Sequence, residues 1–117
     1  MNKHFLNLKE YGSTEVRDLV YAAQELKKGS LLDKLKGKYL ALIFEKSSTR
    51  TRLSFEVAMS QLGGRASFLS VNDLQLGRGE PIADSSKVIS SMADGIVLRT
   101  LKHKTLEDFA KSSSVPV

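Results

Sequence analysis

The chain has 117 residues, which is enough for one small domain with a hydrophobic core and too few for two domains. It contains no cysteine, which excludes disulfides, thiol nucleophiles and cysteine-ligated zinc, and no apolar run approaches the roughly 20 residues that cross a bilayer. The formal net charge of +5 suits an anionic ligand, but the basic residues form no tract interleaved with aromatic residues, so we expect neither a nucleic acid nor a membrane as partner.

Hydrophobic periodicity predicts an alternation of helices and buried strands. The first helix has apolar residues at helical spacing, Ser13 or Thr14 as its cap and Gly29 at its end. A last, short helix is expected to open at Thr105, with Asp108 as its capping-box partner. In chain order the predicted elements are a helix around 16–26, a strand at 39–44, a helix at 49–62, a strand at 66–71, a helix at 82–92, a strand at 95–98, the helix from 105, and the start of a strand at 115–117.

This order predicts an α/β fold, a three-layer αβα arrangement around a parallel sheet. Because residues 115–117 only begin a strand, we expect the sheet to be incomplete at the C-terminus. Ligands of such sheets bind just beyond the carboxyl ends of the strands. Two polar segments, 45–52 and 99–104, fall at that edge, which is therefore the predicted place for a binding site.

The segment Ser-Ser-Thr-Arg-Thr-Arg at residues 47–52 lies where a strand ends and a helix begins. Free N–H groups and the positive end of the helix dipole make such a position a natural anion site. Hydroxyl donors and two guanidinium groups strengthen it, and Arg99 follows a neighbouring strand. Spacing alone leaves open a simpler alternative, a capped helix with solvated arginines. No nucleotide P-loop is present, and the lone Gly-x-Gly at 77–79 is weak evidence for a dinucleotide.

The stretch Phe-Glu-Lys-Ser-Ser-Thr-Arg-Thr-Arg-Leu-Ser-Phe-Glu at residues 44–56 resembles the carbamoyl-phosphate signature of the aspartate and ornithine carbamoyltransferases. Segments 75–80, 84–99 and 105–117 resemble the same family in order and spacing. The Phe-Glu-Lys that opens the signature and the Leu-Gly-Arg-Gly-Glu of residues 76–80 are similar to the ornithine branch. Aspartate enzymes more usually carry a lysine in that loop, where this sequence has Arg78.

The resemblance implies an enzyme that transfers the carbamoyl group of carbamoyl phosphate to the δ-amine of ornithine, giving citrulline and phosphate, without a cofactor or a metal. Arg50 and Arg99 would be the catalytic residues, and Gln75 would reach carbamoyl phosphate from an adjacent chain of a trimer-based homo-oligomer. The implied carbamoyl-phosphate-binding residues are Ser48, Thr49, Arg50, Thr51, Gln75 and Arg99.

The resemblance also implies that residues 1–117 are a partial carbamoyl-phosphate-binding domain, and that the ornithine-binding domain is absent. The family's His-Pro-x-x-Gln and His-Cys-Leu-Pro motifs do not occur in the sequence, so we expect this chain alone to be inactive. The segment MNKHFLNLKEYG lacks the apolar core of a signal peptide, which indicates a cytoplasmic protein. Two alternatives stay open: a carbamoyltransferase for another amine, such as aspartate or putrescine, and a non-catalytic, truncated oligomerisation module.

Three further residues near these motifs are given simpler roles. Arg52 is expected to tie the helix start to its surroundings and to pair with Glu56 four positions on, rather than to touch the ligand. His4 and His103 have no partners at metal-ligand spacing and are expected at the surface, with His103 a weak candidate for supporting the site.

Overall fold

The computed structural model describes residues 4–29, 33–70 and 81–117, and this part of the chain forms a parallel sheet with helices on both faces. The helices are α1 (Ser13–Lys27), α2 (Thr49–Gln61), α3 (Ile82–Met92) and α4 (His103–Ser112). The strands are β1 (Tyr39–Phe44), β2 (Arg65–Ser70) and β3 (Gly95–Arg99). The predicted α/β class is confirmed.

The three strands lie in the order β2-β1-β3, and both pairs are parallel. β1 is the central strand, and its last four residues are buried, which accounts for its continuous apolar sequence. In the register, Phe44 at the end of β1 is opposite Ser70 of β2 and Arg99 of β3. The three carboxyl ends therefore meet at one edge.

The two faces of the sheet carry different helices. Ala41 and Ile43 of β1 pack on one face against Ile89 of α3 and Phe109 of α4, in the main hydrophobic core. Residues that alternate with them point to the opposite face. Phe68 of β2, which is in register with Leu42, lies on that second face under the side chain of Arg52 in α2. The arrangement is thus the predicted three layers, with α2 on one side and α3 and α4 on the other.

Several predicted element ends are wrong by one or two residues. α1 begins at Ser13 with Gly12 as its N-cap and has no side-chain cap bond, whereas Gly29, with a φ of 109°, follows the helix end as predicted. α4 begins two residues before Thr105, at His103. Asp108 does not cap α4, because its carboxylate pairs with Lys104 at 3.3 Å, one turn earlier on the helix surface.

Residues 115–117 run beside β3 without forming the predicted strand. The Ile96 N–H donates to the carbonyl oxygen of Pro116 at 2.9 Å, and the Phe5 N–H donates to that of Val117 at 2.7 Å. A proline has no N–H to give back to a neighbouring strand, so Pro116 contributes only as an acceptor. The N-terminal segment therefore lies against the end of the chain.

α1 makes the least contribution to the core. None of its residues is buried, and Leu19, Val20 and Tyr21 are each more than half exposed. Its apolar spacing therefore correctly predicts a helix but not a buried face. Within the three described ranges, no helix has both the length and the apolar character needed to span a bilayer.

Candidate anion-binding site

The candidate site lies at the carboxyl edge of the sheet, where the turn after β1 meets the end of β3. The hydrogen bonding between β1 and β3 continues one residue past the end of β1, because the Glu45 N–H donates to the carbonyl oxygen of Arg99 at 2.8 Å. The chain then turns through residues 45–48 and enters α2 at Thr49. This confirms the prediction that segments 45–52 and 99–104 share one edge.

Ser48 organises the start of α2. It is the N-cap, with extended backbone angles, and its Oγ accepts from the Thr51 N–H at 3.4 Å. A serine is favoured at this position because its side-chain oxygen satisfies one of the N–H groups that the first helical turn leaves without an acceptor. The Arg52 N–H begins the regular helix by donating to the Ser48 carbonyl oxygen at 2.9 Å.

Thr51 joins the helix start to β3. Its Oγ1 accepts from the Ser48 hydroxyl at 3.0 Å and from Nη1 of Arg99 at 3.2 Å. A hydroxyl oxygen has two acceptor positions and one proton to donate. Because both acceptor positions are occupied, the Thr51 proton is available as a further donor at this edge.

The charge at this edge is positive. Arg99 is half-buried and already oriented by Thr51, and Arg50 is exposed in the first turn of α2. The N-terminus of a helix adds the equivalent of roughly half a positive charge. The edge thus carries a guanidinium and a hydroxyl that are already linked, a second arginine in the same helical turn and the start of a helix, and this set suits a small anion with several oxygens, such as a phosphate ester.

Comparison with known proteins agrees with this chemistry. The family profile "Aspartate/ornithine carbamoyltransferase, carbamoyl-P binding domain" matches residues 3–117.

The chain belongs to this family.

Among its relatives, the ornithine carbamoyltransferase of Hydrogenovibrio crunogenus is 59% identical over 119 residues, which cover 98% of this chain and 39% of that protein. The crystal structure of the anabolic ornithine carbamoyltransferase from Campylobacter jejuni superposes with a TM-score of 0.93 at 52% identity, covering 98% of this chain and 38% of that one. The crystal structure of N-acetyl-L-ornithine transcarbamylase superposes with a TM-score of 0.87 at 34% identity, covering 98% of this chain and 40% of that one. The chain therefore spans about two fifths of the length of these carbamoyltransferases.

The structure brings together part of the residue set implied by the family signature. Ser48, Thr51 and Arg99 are linked by direct hydrogen bonds. Thr49 and Arg50 share the same first helical turn and are exposed. Gln75 lies outside the described residues.

The simpler roles given to neighbouring residues have mixed outcomes. Arg52 pairs with Glu56 at 2.9 Å, as predicted. His103 is exposed, with its Nε2 3.8 Å from Glu107 on its own helix rather than at the site. His4 is half-exposed, and its Nδ1 accepts from the Val117 N–H at 3.1 Å, a contact that the sequence did not predict.

Two contacts were missed from the sequence, one beside the site and one at the opposite end of the strands. The guanidinium of Arg52 lies 4.0 Å above the ring centroid of Phe68. Asp94, predicted to act in a turn, also accepts from the Tyr39 N–H at 2.8 Å and so joins the amino ends of β1 and β3. Neither contact has a sequence signal, because each joins residues on different elements whose approach depends on the packing of the sheet. Among the described residues, no group of three or more histidine or acidic side chains is arranged to hold a metal ion.

Proposed function

We propose that this chain binds carbamoyl phosphate at the edge formed by residues 48–51 and Arg99. The observation that carries the proposal is the Thr51 hydroxyl, which accepts from both Ser48 and Arg99 at the start of α2. This bonding orients one guanidinium and one hydroxyl proton before any ligand arrives, so less ordering is needed on binding. The proposed ligand contacts are the side chains of Ser48, Thr49, Arg50, Thr51, Gln75 and Arg99.

The phosphate group would occupy the N-terminus of α2. Backbone N–H groups of the first turn and the Thr51 hydroxyl donate to its oxygens, and Arg50 approaches from the exposed side. A guanidinium grips two oxygens at once, which an ammonium does not. The dianionic charge of the phosphate is thereby matched by two arginines and the helix dipole.

In the full enzyme, we infer that the uncharged δ-amine of ornithine attacks the carbamoyl carbon. The new C–N bond forms, negative charge develops on the carbamoyl oxygen, and Arg99 stabilises that charge. The C–O bond to phosphate then breaks, the amine loses its proton, and citrulline and phosphate leave. Arg50 stabilises the charge that accumulates on the leaving phosphate. Catalysis of this kind rests on positioning and electrostatics, and removal of one such donor costs about 10²- to 10³-fold in rate.

The remaining parts of the proposal concern residues and chains beyond this edge. Gln75 would contact carbamoyl phosphate from an adjacent chain of a trimer-based homo-oligomer in the cytoplasm. Residues 1–117 would form part of the carbamoyl-phosphate-binding domain. Ornithine would bind to a region that corresponds to the part of the relatives that this chain does not span.

Calorimetric titration of the 117-residue chain with carbamoyl phosphate, and with phosphate as a competitor, tests the proposal. We expect saturable binding that Arg50→Ala weakens about 10- to 100-fold, which corresponds to the loss of a hydrogen bond to a charged group. Arg17→Ala is the matched control, because Arg17 is exposed on α1, a helix with no buried residue. A folded chain that binds neither ligand would reject this proposal and favour the non-catalytic module.

A further inference from the structure

Arg52 occupies a distinctive place beside the candidate site. It follows Thr51 in the first turn of α2, and its backbone N–H makes the first regular bond of the helix, to Ser48. Its side chain turns toward β2, where the guanidinium carbon lies 4.0 Å above the Phe68 ring centroid and Nε donates to Glu56 at 2.9 Å. The residue therefore joins the helix start to the sheet.

Phe68 also contacts β1, the strand that leads into the site. Its ring meets that of Phe44 edge to face, with centroids 5.5 Å apart and planes at 85°. Phe44 is 3% exposed and is the last residue of β1, directly before the turn that ends at Ser48. A series of side-chain contacts therefore runs from the first turn of α2 to the end of the central strand, through Arg52, Phe68 and Phe44.

Besides the hydrogen bond from Arg99 to Thr51, few of the described side-chain contacts tie the first turn of α2 to the sheet. Met59 is its one buried residue among those described, and it lies in the last turn of the helix, far from Ser48. Leu53, next to Arg52, is 56% exposed. The Thr51 bond fixes the first turn at one point, and the half-buried Phe55 lies in the next turn, so the tilt of the first turn depends on a second contact.

The Glu56 ion pair is a weak candidate for that role. Its two side chains are 47% and 34% exposed, and pairs this exposed contribute little because water screens them. The stack on Phe68 is different, because a planar guanidinium covers an aromatic face in a way that a lysine ammonium does not reproduce.

We propose that Arg52 is a positioning residue, which acts through its stack on Phe68 to hold the first turn of α2 in the geometry that binds phosphate. The inference rests on the proposed function, since it assigns a role in the same site. Arg52 does not itself contact the ligand. It holds the direction of the N–H groups of the first turn, while Ser48 and Arg99 orient the Thr51 hydroxyl.

The test is calorimetric titration of the 117-residue chain with inorganic phosphate and with carbamoyl phosphate, well below the lowest unfolding midpoint of the set. Arg52→Lys keeps the charge and its reach to Glu56 but loses the planar stack, and Phe68→Leu keeps apolar volume but loses the ring. We expect each to weaken phosphate binding roughly three- to thirtyfold, the range of a partly desolvated cation–π contact. Phe68→Tyr, which keeps the ring face, should bind as the unaltered chain does. Arg17→Lys is the matched control.

The double variant and the unfolding midpoints separate positioning from general stability. If Arg52 and Phe68 act through one contact, Arg52→Lys combined with Phe68→Leu weakens binding no more than the worse single variant. Variants that lower the unfolding midpoint but bind phosphate like the unaltered chain would overturn the inference, as would losses that multiply in the double variant. Absence of binding by the unaltered chain would instead reject the proposed function, and the inference with it.

Discussion

Replacing Thr51 by valine removes the hydroxyl at the centre of the candidate site while keeping the branched shape of the side chain. The change deletes the acceptor of two hydrogen bonds, from the Ser48 hydroxyl at 3.0 Å and from Arg99 Nη1 at 3.2 Å. It also deletes the hydroxyl proton that we propose is donated to a phosphate oxygen of the ligand. Arg99 keeps its charge but loses the described contact that orients its guanidinium.

The expected effects on stability and on binding differ in size. Thr51 is half-buried, so water replaces part of the lost bonding, and we expect a cost of about 1 kcal/mol in unfolding free energy. For a chain of this size that corresponds to roughly 4 °C in unfolding midpoint. Loss of a hydrogen bond to a charged ligand is larger, about 1.5–3 kcal/mol, which is roughly 10- to 100-fold in phosphate affinity.

Phosphate titration by calorimetry and thermal unfolding measure the two effects on the same samples. Thr51→Ser restores the hydroxyl and should recover most of the binding, and Thr14→Val is the matched control, because Thr14 is exposed in the first turn of α1. The reasoning is refuted if Thr51→Val binds phosphate as tightly as the unaltered chain, since the hydroxyl would then have no part in the site.

Three further predictions concern the scaffold. Ile43→Ala should lower the unfolding free energy by about 2–5 kcal/mol, because Ile43 is fully buried. Leu53→Ala, at a largely exposed position, should lower it by less than about 1 kcal/mol, and denaturant titration of the two variants measures the difference. Asp94→Ala should cost about 1 kcal/mol, since the Tyr39 N–H loses its acceptor, yet leave phosphate affinity unchanged in calorimetry because the contact lies at the opposite end of the strands. Gly64→Ala should destabilise the chain by about 1–3 kcal/mol in the same denaturant assay, because a Cβ there would lie 3.0 Å from two backbone carbonyl oxygens; equal stability would show that the backbone relaxes freely.

The position of the site follows from the parallel arrangement of the strands. Phe44 and Arg99 are opposite each other in the register, so a polar turn after one strand and an arginine at the end of its neighbour necessarily meet at the same edge. Ser48 then caps the helix that begins at this edge. The fold thus supplies the positive field, and only a few side chains are needed to give it a chemical preference.

Much of this fold could be predicted from local sequence patterns. The continuous apolar run at 39–44 indicates a strand buried on both faces, and it is the central strand of the sheet. The helix at 82–92 was predicted with its observed ends, whereas the helix predicted from Thr105 begins at His103. Helix ends depend on which residue caps the first turn, and this choice is weakly encoded in a stretch where several polar residues follow one another.

The sequence by itself determined the class of fold, the family and the segment that starts α2, because apolar periodicity and a serine at a helix cap act over a few neighbouring residues. Only the tertiary structure decided which distant residues meet. Thr51 and Arg99 are 48 positions apart, and the stack of Arg52 on Phe68 depends on how α2 crosses β2. Strand order and helix packing arise from hydrogen bonds and burial summed over the whole chain, so no local pattern specifies these contacts.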